Sequence, residues 1–186
     1  MIGFRGIGET MVHGAATSNE QRKARRPLYT AEQRVRRDAS RWTLVQGILA
    51  PVQFLIFGIS LYLVINYLRT GDNHDAAIWS VVVKTLALYT IMITGAIWEK
   101  VVFGKYLFAE SFFWEDVFSM LVIALHTAYL VALVAGVLDS RQLMWLALAA
   151  YFTYVINAAQ FIWKLRMARL EVPVARDVAA TDAVAA

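Results

Sequence analysis

The 186-residue chain contains no cysteine. That absence excludes a disulfide framework, a thiol nucleophile, a zinc knuckle and a cysteine-ligated cluster. Three prolines and ten glycines are too few for a collagen-like or low-complexity chain. Charge is scarce too: 17% of the residues are Asp, Glu, Lys or Arg, against about 25% in an ordinary soluble domain. The chain has no Gly-rich phosphate loop, no His-Glu-x-x-His and no nucleophile elbow, so the common short catalytic signatures are missing. Apolar residues are abundant instead, at 59%, and the mean hydropathy is +0.52. The length allows one domain.

The apolar residues are gathered into four runs. Positions 42–68 carry no charge, 76–98 carry only Lys84, and 117–138 and 142–163 carry none. A helix crossing a bilayer needs about 20 such residues, or about 30 Å at 1.5 Å per residue. A soluble bundle would show a charged face on each helix, and these runs do not. No pattern of short alternating strands suggests a β-barrel. The expected fold is therefore an all-α integral membrane protein with four transmembrane helices. Short connections at 69–75 and 139–141 favour antiparallel neighbours in an up-down bundle. The expected organisation is a basic N-terminal tail over 1–40, a transmembrane domain over 41–168 and a tail over 169–186. About 40 polar residues precede the first run, too many for the n-region of a signal peptide, so that helix is expected to be retained. Met1–Pro27 lacks periodicity and reads as disordered, and the Ala/Val-rich stretch from Val172 reads as frayed. Between them, Thr30 and Gln33 have capping-box spacing for a short helix over Ala31–Ala39.

A formal charge of +4 and a pI of about 9.5 raise the question of nucleic acid, but the placement of charge answers it differently. Nine of the 18 basic residues precede Trp42, four follow the last run and two lie in the 99–116 connection. With four spans these segments share one side, leaving only Arg69 and Arg141 on the other. The positive-inside rule then places both termini and the middle connection in the cytoplasm. The basic excess is a topology signal, with anionic lipid as a secondary partner, and no nucleic-acid reader is indicated.

Ionisable residues inside a membrane are costly and point to function. His126 sits near the middle of the third run, on one face with Glu115, Ser119, Val122 and Tyr129. It suits a proton relay, an axial ligand to the metal of a bound tetrapyrrole, or a hydrogen bond to a neighbouring helix. The middle connection is rich in acids: Glu99, Glu110, Glu115 and Asp116. Asp116 reads as a helix cap. Glu99 and Glu115 are expected to converge at the membrane surface, where a crowded, half-desolvated carboxyl can act as a general acid. Trp98, Phe103, Tyr106, Phe108, Phe112, Phe113 and Trp114 surround them, as an interfacial belt or as a pocket for a flat hydrophobic ligand. Lys84 would cost roughly 2.5–3.5 kcal/mol at mid-membrane; snorkelling to the surface relieves this, and an anion contact or ion pair is the alternative. Thr153, Asn157, Gln160 and Lys164 share a face of the fourth run, and Gln46, Gln53 and Ser60 recur at seven-residue spacing in the first, with Pro51 as an expected kink. Such stripes join helices or line a cavity that admits water.

The middle block carries a resemblance. It comprises Trp98-Glu99-Lys100-Val101-Val102-Phe103-Gly104-Lys105-Tyr106-Leu107-Phe108-Ala109, Phe112-Phe113-Trp114-Glu115-Asp116-Val117-Phe118-Ser119 and Leu125-His126-Thr127-Ala128-Tyr129. Together with Thr43-Leu44-Val45-Gln46-Gly47, it resembles the 3-vinyl (in older naming 2-vinyl) bacteriochlorophyllide hydratase family over roughly 28–170. The resemblance implies a hydro-lyase of bacteriochlorophyll biosynthesis in a bacterial inner (intracytoplasmic) membrane. Such an enzyme adds water across the C3-vinyl group of a chlorophyllide or bacteriochlorophyllide, giving a 1-hydroxyethyl group. It implies no cofactor of the protein's own, because the magnesium belongs to the tetrapyrrole substrate. Further partners implied are membrane lipid, a second copy of the chain, or other pigment-biosynthesis enzymes.

The chemistry needs an acid for the terminal vinyl carbon, a positioned water, and a base or dipole beside it. Glu115 is the expected acid, Glu99 the base or water-holder, with Asp116 beside them, and His126 an axial magnesium ligand or relay. Lys100 or Lys105 is expected to anchor the propionate; Trp98, Trp114, Phe113, Tyr106, Asn157 and Gln160 are expected to contact the pigment. Glu115 and His126 are 11 residues apart, about 16 Å along a helix, farther than the metal-to-vinyl distance of a chlorin. The arrangement preferred is therefore a pigment at the cytoplasmic carboxylates, with His126 structural or a relay. The competing classes are a non-catalytic pigment carrier or assembly factor, and a small transporter using Lys84, His126 and Asn157.

Overall fold

The computed structural model of the chain describes residues 28–184, with side chains as far as position 169. The tail expected to be disordered, Met1–Pro27, lies outside the described residues. Five helices are described: α1 (Ala31–Ala39), α2 (Arg41–Thr70), α3 (His74–Phe103), α4 (Phe113–Ala135) and α5 (Ser140–Val184). The last four are long and apolar enough to cross a membrane.

Local chemistry sets the helix boundaries. At α1 the capping box forms as its spacing predicts. The Gln33 N–H donates to Thr30 Oγ1 at 3.2 Å and the Thr30 N–H donates to Gln33 Oε1 at 2.9 Å, satisfying two donors that a helix start leaves open. Ser40 closes α1 and opens α2, its hydroxyl accepting from the Trp42 N–H at 3.2 Å. Gly71 and Gly104 end α2 and α3 in the left-handed region, at φ 80° and 85°, where a side chain would be strained. The helices overrun the charge-free runs on which the spans were based. α3 continues through Glu99, and α4 begins at Phe113, so Glu115 and Asp116 lie in its first turn. A helix does not stop at a carboxylate that faces protein, and all three of these acids are buried. The α5 backbone runs on to Val184, past Val172, where fraying was expected.

α2 packs mainly on α3 and α4 mainly on α5; α2 with α5, and α3 with α4 and α5, join the two pairs, and α1 lies on α3. Ala77, Ala132, Ala147 and Ala150 are buried at the contacts, where small side chains let membrane helices approach closely. Leu55, Tyr62, Leu86, Ile93, Val134 and Phe152 face outward, whereas Gln53, Ser60, Lys84, Thr85, Ser119, His126 and Asn157 face inward. Apolar surface outside and polar groups inside is the arrangement a lipid solvent selects. Interhelical hydrogen bonds use these groups. Gln46 Nε2 donates to Thr94 Oγ1 at 2.7 Å, Asn157 Nδ2 donates to Ser119 Oγ at 2.8 Å, and Tyr89 and Thr127 share a bond of 2.7 Å. Gln46, Ser60 and Asn157 of the amide stripes thus join helices, one of the two readings of those stripes.

Candidate functional site

Three acids meet where α3 ends and α4 begins, but not in the expected pairing. Glu99 and Asp116 are 5% and 2% exposed, and their carboxyl groups are close neighbours. The connection between the helices supplies the remaining donors. The Phe108 N–H donates to Asp116 Oδ2 at 2.7 Å and the Ala109 N–H donates to Glu99 Oε2 at 3.4 Å. Phe108 has φ 59°, a left-handed conformation that costs a non-glycine residue roughly 1–2 kcal/mol. The consecutive N–H groups of Phe108 and Ala109 each serve one carboxyl, a nest-like use of an irregular turn. Asp116 therefore receives the turn and lies beside Glu99, where the sequence suggested a cap. Glu115 lies beside Asp116 but pairs across the bundle with Lys164 on α5, at 2.5 Å.

Two carboxyls in contact form a hydrogen bond only when a proton lies between them. Such a pair can give a proton to a bound molecule and take one back, which is the requirement for general acid–base work. The Glu115–Lys164 ion pair is a different object, a carboxylate with its own counter-ion.

The aromatic residues divide into two groups. Trp98, Phe103 and Phe112 pack on one another with ring centroids 5.7–5.8 Å apart. Tyr29 stacks on Phe103 at 5.7 Å and Phe161 on Phe112 at 5.8 Å. This group is a filled core beneath the carboxyl pair, where an open pocket was one expectation. Burial pushes the Tyr29 phenol above its ordinary range. Trp98 Nε1 donates to Thr43 Oγ1 at 2.9 Å, and Thr43 Oγ1 donates to the Arg37 carbonyl at 2.6 Å, fixing the α1–α2 corner against the residue before Glu99. Tyr106, Phe108, Phe113 and Trp114 form the second group and are exposed, Trp114 by 68%. Phe113 contacts both Phe108 and Trp114, at 5.8 and 5.5 Å, giving a continuous outward aromatic surface over the start of α4. Lys100 and Lys105 are exposed beside it. Lys100 Nζ donates to the Gly104 carbonyl at 3.0 Å and lies 5.2 Å from the Tyr106 ring centroid.

His126 lies away from this rim, in the bundle interior; Asn157, bonded to Ser119, and Gln160, one turn from Lys164, lie between. His126 is fully buried; its Nδ1 is 2.8 Å from the Val122 carbonyl and its ring is 5.9 Å from that of Tyr151. Lys84 corrects an expectation: it does not snorkel. It is 0% exposed, and its Nζ lies 3.7 Å from the Tyr154 ring centroid. It shares the inward face of α3 with the buried Val81 and Leu88, so its stem points into the bundle. It takes part in no salt bridge among the described residues, so the alternative of an ion pair is not seen there. Among the described residues no group of three or more His, Asp or Glu side chains is placed to hold a metal.

The described helices coincide with a known family. The family described as 2-vinyl bacteriochlorophyllide hydratase matches residues 29–167. The chain belongs to that family. It is 66% identical over 154 residues to a 2-vinyl bacteriochlorophyllide hydratase of Rhodobacter capsulatus, covering 83% of this chain and 90% of the relative. It is 69% identical over 151 residues to the protein of the same description from Cereibacter sphaeroides, covering 81% and 94%. No solved structure matches it.

The family match begins at position 29, and Tyr29 is where the structure first adds to the site. Sequence reasoning passed over Tyr29, because it lies outside every apolar run. The Lys164 partnership with Glu115 was also missed. A signal for it existed: Asn157 and Lys164 are two turns apart on one face of α5, and their partners Ser119 and Glu115 are one turn apart on α4.

Proposed function

We propose that this member of the family is a hydratase acting on the C3-vinyl group of a chlorophyllide or bacteriochlorophyllide, in bacteriochlorophyll biosynthesis. The family membership supports the reaction, and the buried Glu99–Asp116 pair supports the mechanism. In the proposed topology four helices cross the bacterial inner membrane up and down, with both termini and the α3–α4 connection in the cytoplasm. The asymmetric placement of basic residues supports that orientation.

The carboxyl pair gives its proton to the terminal vinyl carbon, and the vinyl π electrons form the new C–H bond. The adjacent carbon becomes a cation, delocalised into the macrocycle. A water oxygen attacks that carbon and forms the C–O bond, and the surplus proton of the water returns to the carboxyl pair. The pair ends as it began, and no electron is gained or lost. Glu99 and Asp116 are thus the proton donor and acceptor. Glu115 remains paired with Lys164 and sets a fixed dipole beside the developing cation. The flat pigment lies against the outward aromatic surface of Phe108, Phe113 and Trp114, near Trp98, with Tyr106 at its edge. Its propionate is met by Lys105 or Lys100, both exposed at that edge. The reaction draws on no cofactor of the protein's own.

The test is to incubate membranes containing the protein with a vinyl chlorophyllide and look for a product heavier by one water. Folded protein that binds the pigment and leaves it unconverted would overturn the proposal in favour of a carrier.

A further inference from the structure

We infer that the bundle interior between Lys84 and His126 is a water-binding site, and that it holds the water that this hydratase adds. The second half of that statement rests on the function proposed above; the first does not.

The interior carries an unusual number of polar atoms without partners. Lys84 Nζ, His126 Nε2 and the Tyr129 hydroxyl each make no hydrogen bond within the protein, and their residues are 0% exposed. Gln53 Nε2 and Asn157 Oδ1 are buried in the same condition. These residues come from four helices, α2 to α5. Lys84 and His126 are electrostatic neighbours, as are Tyr129 and Tyr151, and the His126 and Tyr151 rings are in contact. A buried polar atom left unpaired costs about 1–3 kcal/mol, and more when charged. Where such atoms are neighbours, as at Lys84 and His126, they call for a ligand that satisfies them together.

The donor and acceptor types identify that ligand. The Val122 carbonyl can only accept, so His126 Nδ1 carries the hydrogen of their 2.8 Å bond. In the neutral ring Nε2 is then an acceptor. Asn157 Nδ2 is engaged with Ser119, which leaves Oδ1 as a second acceptor. Lys84 Nζ and Gln53 Nε2 are donors, and the Tyr129 hydroxyl is either. An anion would suit the donors and be repelled by Asn157 Oδ1 and His126 Nε2. A metal cation would find His126 Nε2 without the further His, Asp or Glu ligands it needs, since among the described residues no group of three is placed to hold one. Water serves both kinds, and buried waters typically make two to four such bonds, on the order of three each.

The site is connected in two directions. Ser80 lies on the wall of a surface groove of about 250 Å³ with Ile56, Ile59, Trp79 and Val83. Its hydroxyl bonds to that of Ser60 at 2.7 Å, and Ser60 bonds to the Tyr151 hydroxyl at 2.5 Å, so a hydroxyl chain leads from the groove to the ring that covers His126. Towards the carboxyl pair, Asn157 and Ser119 bond to each other two helical turns from His126, and Ser119 is one turn from Asp116.

The experiment is X-ray hydroxyl-radical footprinting of the purified protein in lipid nanodiscs, without pigment, because side chains beside bound water are labelled even when buried. Expected is labelling of His126, Tyr129 and Tyr154 severalfold faster than of Phe112, which is as deeply buried but packed among aromatic rings. Lys84→Met should lower labelling of His126 and Tyr154 severalfold, and Lys84→Gln, which keeps a donor, should restore most of it. Labelling no faster than Phe112 in the unmodified chain would overturn the proposal, whatever the variants do. A fall in the thermal midpoint when chloride is replaced by gluconate would also overturn it, in favour of an anion. In the turnover assay Lys84→Met should lower kcat severalfold at unchanged KM. Equal kcat would remove the supply role while leaving the site, and a wild-type chain that converts no pigment would defeat the hydratase reading while the labelling result still decides the site.

Discussion

Glu99→Gln separates chemistry from folding at the carboxyl pair. The glutamine carbonyl still accepts from the Ala109 N–H, which now donates to Glu99 Oε2. Its amide still donates towards Asp116, which keeps its 2.7 Å bond from the Phe108 N–H. No buried group loses its partner, so the expected stability loss is about 1 kcal/mol or less. For a chain of this size that is a shift of about 2–4 °C in Tm. The proton, by contrast, is gone. General acid catalysis contributes about 10²–10⁴-fold, and each tenfold is about 1.36 kcal/mol, so the barrier should rise by about 3–5 kcal/mol. The assay is hydration of a vinyl chlorophyllide, followed as the product heavier by one water, with pigment binding and Tm measured on the same preparations. Asp116→Asn should behave alike, because the proton belongs to the pair. If both variants turn over within about tenfold of the parent chain while Glu115→Gln does not, the acid is Glu115 and the pairing-based reasoning is refuted.

Lys164→Met leaves Glu115, itself 8% exposed, without its counter-ion. Removing one partner of a buried pair costs about 3–5 kcal/mol; the quarter-exposed lysine places this one near the lower end. Thermal unfolding in detergent should show the loss, and Lys164→Met combined with Glu115→Gln should recover more than half of it. Tyr151→Phe and Ser60→Ala break the same bond unequally. The first leaves Ser60 bonded to Ser80 and should cost about 1 kcal/mol, while the second strands the buried Tyr151 hydroxyl and should cost about 1–3 kcal/mol; equal losses in equilibrium unfolding would contradict that asymmetry. Thr30→Ala removes the α1 cap, worth about 1 kcal/mol to the helix. Amide exchange should accelerate over α1 alone, with the four long helices unaffected.

The membrane character of the fold was legible because lipid acts on composition: four long apolar runs hold a single charge, Lys84, among them. The capping box at Thr30 and Gln33 was legible because its partners are three residues apart and need no tertiary contact. The site was legible as a neighbourhood and not as a pairing. Glu99, Glu115 and Asp116 all lie at one end of charge-free runs, but which two meet depends on the turn at Phe108 and on the rotation of α4 against α5. One residue of difference is about 100° around a helix, enough to send Glu115 to Lys164 and Asp116 to Glu99. Lys84 was misplaced for a related reason. Snorkelling is the cheapest course for a lysine facing lipid, and the sequence alone did not show that residue 84 faces inward, among Val81, Thr85 and Leu88.

The separation of the two polar regions bears on where the pigment binds. Asp116 and His126 are ten residues apart on α4, about 15 Å, so a chlorin with its vinyl group at the carboxyl pair does not bring its magnesium to His126. For His126 to take the metal, the ring would have to enter between α4 and α5. Tyr151 lies across that approach, in contact with the His126 ring and bonded to Ser60 on α2. Displacing it would break an interhelical bond and expose the buried cluster of Tyr129, Met144 and Ala147. The carboxyl pair lies beside exposed aromatic surface and exposed lysines and needs no such opening. The interior has unpaired atoms of both hydrogen-bonding kinds, which suit water, and the rim has exposed aromatic rings, which suit a flat ligand. A hydratase that keeps its two substrates in separate surroundings can hold one in lipid and the other away from it until they meet at the proton.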